Sequence, residues 1–121
     1  MPSRPDDCLF CRLVVDGDHV ARADGFVAIR DIHPISETHL LVLPERHVDT
    51  FKDVAAFPDE EAAQMLRFVA ETAEVAGLDG YRVLVNVGAS GGQTIFHLHW
   101  HVLGGRPDRE RIARALERTG Q

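Results

Sequence analysis

"TIFHLHWHVLGG", residues 94–105, sets His97, His99 and His101 at every second position, with Leu98, Trp100 and Val102 between and after them. A period of two is that of a β-strand, whose side chains point alternately to opposite faces. The three histidines then share one face, and Leu98, Trp100 and Val102 the other. The second set reads as core. The first faces something polar, because burying an imidazole without partners costs roughly 1–3 kcal/mol per group. A lone histidine on a strand is ordinarily a hydrogen-bonded structural residue, but three of the chain's seven in register point to a site.

Working outward, "YRVLVNV" (81–87) alternates as a strand and "GASGGQ" (88–93) is a turn leading into the last strand, "IFHLHWHVL". Upstream, Ala62, Met65, Leu66, Val69, Ala73 and Ala76 recur at helical spacing, which predicts a helix from Pro58 to Ala76 stopped by Gly77. Pro58 suits a first turn, and Asp59, Glu60 and Glu61 complement the positive end of the helix dipole. "CLFCRLVV" reads as a short helix. "HVARA" and "FVAIRD" read as strands joined at Asp24–Gly25, and "HLLVLP" as a buried strand ended by Pro44. "PDRERIARALER" closes as a helix begun by Pro107. Sequential strands with short turns predict an α+β domain: an antiparallel sheet with its helices on one side.

The 121 residues suit one domain spanning 1–121, with residues 1–7 expected to be flexible and 106–121 a C-terminal helical extension. A net charge of −6 argues against broad electrostatic contact with nucleic acid. Arg106, Arg109, Arg111, Arg114 and Arg118 alternate with acids as on a solvated helix face. The start carries no apolar leader and no stretch reaches membrane-spanning length, so a cytoplasmic protein without membrane contact is expected. In a reducing compartment Cys8 and Cys11 suggest a metal half-site or a redox pair before a structural disulfide.

Two chemistries compete for the histidine strand. Neutral imidazole is a zinc ligand, yet His97 and His101 stand about 13 Å apart along extended backbone at roughly 3.3 Å per residue. One ion can take two of the three more readily than all of them. The preceding "NVGASGGQT" supplies Asn86, the backbone at Gly91 and Gly92, and the side chains of Gln93 and Thr94, a set suited to a phosphate.

"HLHWHVL" resembles the His-φ-His-φ-His-φ-φ signature of the histidine triad (HIT) superfamily. "DIHPISETHLLVLPERH" and "YRVLVNVGASGGQTIFHLHWHVLGG" are similar to its Hint branch of nucleoside phosphoramidases. The similarity runs from about Cys8 to Gly105. It implies a five-stranded antiparallel HIT-like sheet with a long helix packed on it and short terminal helices. It implies that His99 attacks the α-phosphorus of a nucleotide derivative to form a nucleotidyl-histidine that water cleaves. His101 would stabilise the phosphate, and His97 would orient the other two or serve a metal. Asn86, Gly92, Gln93 and Thr94, where relatives more often carry Ser, would cradle the phosphate. Asp31 would take the ribose hydroxyls, although its local reading is a turn cap. Ile29, Ile32 and Leu43 would wall the base pocket. A purine nucleotide such as AMP or GMP is the implied ligand, and a homodimer through the long helix and "YRVLVNV" the implied assembly.

No P-loop or carboxylate cluster indicates a metal-dependent reaction, so catalysis is expected to need no cofactor. Separately, Cys8, Cys11, His47 and His97 form a candidate Cys₂His₂ set for structural zinc, as in some histidine triad proteins; others keep part of the pattern without metal, and two free thiols is the alternative. His19, His33 and His39 have ordinary structural readings. The tail "RPDRERIARALERTGQ" departs from the Trp- and Pro-containing end of better-known Hint proteins, which bears on selectivity. The alternatives to a phosphoramidase are a dinucleotide polyphosphate hydrolase, a non-catalytic nucleotide-binding scaffold and a metal-binding module.

Overall fold

Helix α1 (Leu9–Asp16) leads into strands β1 (Ala21–Ala23), β2 (Phe26–Arg30) and β3 (Ser36–Pro44). A 3₁₀ helix (Phe51–Ala56), helix α2 (Asp59–Val75), strand β4 (Tyr81–Leu84), a short 3₁₀ turn (Ala89–Gly91) and strand β5 (Trp100–Pro107) follow. The computed structural model describes residues 7–107, with side chains as far as residue 105. The expected C-terminal helix beyond Pro107 and residues 1–6 lie outside the described residues. Arg106 and Pro107, expected to begin that helix, instead end β5, where Pro107 pairs with Ser36.

The five strands form one antiparallel sheet in the order β1-β2-β3-β5-β4. The β1–β2 hairpin is tight because Asp24 and Gly25 both take positive φ, 56° and 87°. Those are the two left-handed residues a two-residue turn of this hand requires. In α2, Asp59, Glu60 and Glu61 occupy the first turn as expected.

The helices do not share one side of the sheet, which corrects the expectation from strand order alone. Phe26, Ala28, Leu40, Val42, Leu98 and Val102 pack with Met65, Phe68, Val69 and Ala73 of α2. The alternate positions Val27, Ile29, Leu41 and Leu43 pack with Phe10, Cys11 and Val14 of α1. The reason was already present in β2 and β3, whose consecutive apolar residues are enclosed on both faces. The buried stripe of α2 is also rotated from the expected one. Phe68 and Thr72 are enclosed, whereas Leu66 is 57% exposed.

Strand β5 begins at Trp100, five residues later than expected. Residues 95–99 approach the sheet outside its ladder, held by the Leu98 N–H donating to Val48 O at 2.6 Å. The alternation of faces survives. Leu98 and Val102 lie in the α2-side core and Trp100 packs against it, its ring edge-on to Phe51 at 5.4 Å. No helix among the described residues is long and apolar enough to cross a membrane.

Candidate active site and a neighbouring Cys/His cluster

His97, His99 and His101 are all buried, at 0%, 2% and 4% exposure, on the face that α1 covers. Phe10 of α1 sets its ring edge-on to His99 at 4.9 Å and to His97 at 6.2 Å. Each of these buried rings is held by a different hydrogen-bond partner.

His99 Nδ1 lies 2.7 Å from the carbonyl oxygen of His97. A carbonyl only accepts, so Nδ1 carries the hydrogen and Nε2 of the neutral ring keeps its lone pair. Nε2 is buried without a hydrogen-bond partner among the described residues. Burial holds this imidazole below its ordinary value of 6.5, against the raising influence of the His97 carbonyl and Asp31. The ring is therefore neutral at pH 7, with a bare nitrogen.

His101 takes the opposite tautomer, and the cause lies on β3. The Ile35 N–H donates to Nδ1 of His39 at 3.2 Å, so neutral His39 holds its hydrogen on Nε2. Desolvation keeps His39 neutral by lowering its pKa, opposed by the nearby Asp31 charge. Nε2 of His39 stands 2.9 Å from Nδ1 of His101 and 3.3 Å from Oδ2 of Asp31. His101 Nδ1 thus accepts, and its own hydrogen sits on Nε2. Adjacent rings, with centroids 5.2 Å apart, present a lone pair at His99 and an N–H at His101. Sequence reasoning gave His39 no role. Its only signal was its place on a β-strand beside a histidine strand, which becomes informative once β3 and β5 are known to pair, with His39 opposite Leu103.

Asp31 is 6% exposed, and its Oδ1 accepts the His33 N–H at 2.8 Å, which is the turn-capping geometry read locally. Ile32 beside it is 78% exposed, whereas Ile29 is nearly enclosed. Leu43 has no exposed surface and belongs to the α1-side core, so it is not an accessible wall of a base pocket.

In the loop before the histidines, Gly88 (φ 73°) and Gly92 (φ 93°) bracket the 3₁₀ turn in a left-handed conformation. The Gly91 and Gly92 amides, expected to face an anion, donate within the turn to Gly88 O and Ala89 O at 3.1 Å each. Thr94 is exposed and Asn86 half-buried. Gln93 is turned inward and is 3% exposed.

The structure brings Cys8, Cys11, His47 and His97 together, one donor atom of each lying within 4.8 Å of the others. Cys8 caps α1, its Sγ accepting the Cys11 N–H at 3.3 Å. His97 Nε2 donates to Pro44 O at 2.8 Å, so its Nδ1 turns a lone pair toward both sulfurs, each 3.5 Å away. His47 Nε2 donates to Asp49 Oδ1 at 2.6 Å, which likewise aims Nδ1 at Cys11 Sγ, 3.2 Å away. Orienting acceptors of this kind are what metal-ligating histidines have. Two thiols and two aligned lone pairs fit a tetrahedral zinc ion.

Asp31, His39 and His101 also converge within 4.8 Å. That group does not fit a metal. Ligation through His39 Nε2 would force the hydrogen onto Nδ1, against the incoming Ile35 N–H. It is a hydrogen-bonded pair of imidazoles, His39 to His101, with the Asp31 carboxylate 3.3 Å from His39 Nε2. His97 and His101 thus serve separate clusters, and one ion does not gather all three triad rings.

Residues 12–108 match the HIT domain family. A purine nucleoside phosphoramidase of Escherichia coli K12 is 36% identical over 107 residues, covering 84% of this chain and 90% of that protein. A HIT family hydrolase from Legionella pneumophila superposes with a TM-score of 0.75 at 38% identity, over 83% of this chain and 94% of that one. A zinc-bound histidine triad family protein from Mycobacterium smegmatis does so at 0.67 and 29% identity, over 93% and 91%. With a matching family, a matching sheet and three enclosed histidines at its centre, the chain belongs to the HIT domain family.

Proposed function

We propose that this protein is a nucleotide-binding hydrolase that cleaves nucleoside 5′-phosphoramidates, or related nucleotidyl conjugates, to a nucleoside monophosphate through a covalent intermediate on His99. The observation that carries this is the pinned tautomer of His99: Nδ1–H held by the His97 carbonyl, with Nε2 neutral, buried and unpartnered among the described residues. Such a nitrogen is nucleophilic without prior deprotonation.

In the first step Nε2 forms a bond to the α-phosphorus as the phosphorus–nitrogen bond to the leaving amine breaks. The Nε2–H of His101 donates to the phosphate oxygens, and the amine leaves with a proton taken from solvent. His39 keeps its hydrogen on Nε2 and so holds His101 in that tautomer, while the positive charge gained by the His99 ring is met at Nδ1–H by the His97 carbonyl. Water then attacks phosphorus, the nitrogen–phosphorus bond to His99 breaks, a proton returns to solvent, and the monophosphate leaves with the imidazole restored. Thr94 and Asn86 hold the phosphate, Asp31 the ribose hydroxyls, and Ile32 covers the base, AMP or GMP being the fitting products. The similarity to a purine nucleoside phosphoramidase supports this substrate class.

Cys8, Cys11, His47 and His97 would hold structural zinc, which when bound ties α1 to the strands beneath it. The reaction itself needs no metal. A homodimer forms through β4, an edge strand whose Tyr81 and Val83 are each 41% exposed, and the outer face of α2, where Leu66 and Val75 are exposed. Incubation with adenosine 5′-phosphoramidate in EDTA tests the reaction: AMP appears with the native protein and not with His99→Ala. Nucleotide binding without turnover would favour a scaffold, and loss of turnover on chelation a metal module.

A further inference from the structure

The Gln93 amide is fully used inside the protein. Its Oε1 accepts the Gly88 N–H at 2.9 Å, while Nε2 donates to Asp49 O at 2.8 Å and to Ile95 O at 3.0 Å. Its backbone N–H returns to Gly88 O at 3.0 Å. A primary amide has two N–H hydrogens, and both are committed to carbonyls. It has none left for a phosphate, and its oxygen would repel one.

We propose that Gln93 is a positioning residue, clamping the loop 88–95 from beneath so that Thr94 and the histidines after it meet the nucleotide in one fixed geometry. This assignment rests on the proposed reaction and replaces the phosphate contact expected from sequence. The clamp reaches further through Asp49, whose carbonyl takes the Gln93 amide and whose carboxylate holds His47. One side chain joins the substrate loop to the segment that carries a ligand of the Cys/His cluster. Geometry set in advance of binding acts on the chemical step more than on affinity.

The test compares Gln93→Met and Gln93→Glu with the native protein, reading hydrogen exchange at the Gly88 amide without nucleotide, then kcat and KM for adenosine 5′-phosphoramidate across pH. Gln93→Met removes the acceptor of Gly88 and both donors. Gly88 exchange is expected to quicken about tenfold or more and kcat to fall by a similar factor, with KM changing less. Gln93→Glu keeps the shape. Protonated, it accepts from Gly88 and donates to one carbonyl; ionised, it sets a negative charge against the carbonyls of Asp49 and Ile95. Its kcat relative to the native protein therefore rises as pH falls, and Gly88 exchange relative to the native protein at the same pH slows in step.

Unchanged Gly88 exchange with a loss confined to KM would overturn the assignment in favour of direct phosphate contact, and unchanged kcat in both variants would overturn it outright. Where Gln93→Met fails to fold, the pH response of Gln93→Glu decides alone. A native protein that turns over no phosphoramidate contradicts the proposed reaction, while Gly88 exchange still tests the clamp.

Discussion

The His97 carbonyl oxygen lies 2.7 Å from Nδ1 of His99, and the His97 ring lies 3.5 Å from both cysteine sulfurs through its own Nδ1. One residue thus fixes the tautomer of His99 with its backbone and completes a thiol–imidazole cluster with its side chain. The two sites are separate in chemistry and adjacent in structure.

His99 and His39 are both held below the ordinary 6.5 by burial. Activity that requires neutral His99 therefore persists below pH 6.5, and the acid limb of kcat/KM falls lower than for a free imidazole. Stability follows the same sign. Between the folded value and 6.5 the unfolded chain binds more protons than the folded one, so stability is full above about 6.5 and is lost as pH falls through the window. Urea unfolding from pH 5 to 8 checks this; flat stability would contradict it.

His39→Ala removes the donor that sets the His101 tautomer. We expect kcat to fall about a hundredfold, with nucleotide affinity changing less. His39→Gln, which retains an N–H to give, should recover part of the loss. Nitrogen-15 shifts of the His101 ring read the tautomer directly.

Zinc added to the reduced protein should raise the melting temperature, by the equivalent of about 2.7 kcal/mol at a hundredfold excess over its dissociation constant. The double variant Cys8→Ser, Cys11→Ser should lose the response, as read by metal content and calorimetry. EDTA should leave phosphoramidate turnover in place while removing that stabilisation.

Phe10 is 1% exposed and stands edge-on to His99 at 4.9 Å. Phe10→Ala should cost about 3–5 kcal/mol of stability through the cavity it leaves. It should lower kcat beyond the loss from the unfolded fraction, which chemical denaturation and activity on the same samples separate.

The triad face and the four residues of the Cys/His cluster were readable in the sequence because a period of two and a C-x-x-C spacing are local signals. Their environment was not. That α1 and α2 cover opposite faces depends on β2 and β3 being enclosed on both sides, which a continuous apolar run such as "HLLVLP" suggests without saying what covers it. The start of β5 is not legible in the sequence because Leu98 is held by Val48 outside the ladder while keeping the alternation of a strand. His39 carries no local signal, because its meaning lies in a contact with His101, sixty-two residues away. Gln93 resembled a phosphate ligand by type, and only its three bonds show that its amide is spent.

The most direct measurement is intact-mass and peptide analysis of the protein quenched during turnover of adenosine 5′-phosphoramidate. The account predicts an added adenylyl group on Nε2 of His99, formed fast enough to be an intermediate and absent from His99→Ala. Turnover with no adduct on any histidine, or an adduct located at His97 or His101, would contradict it.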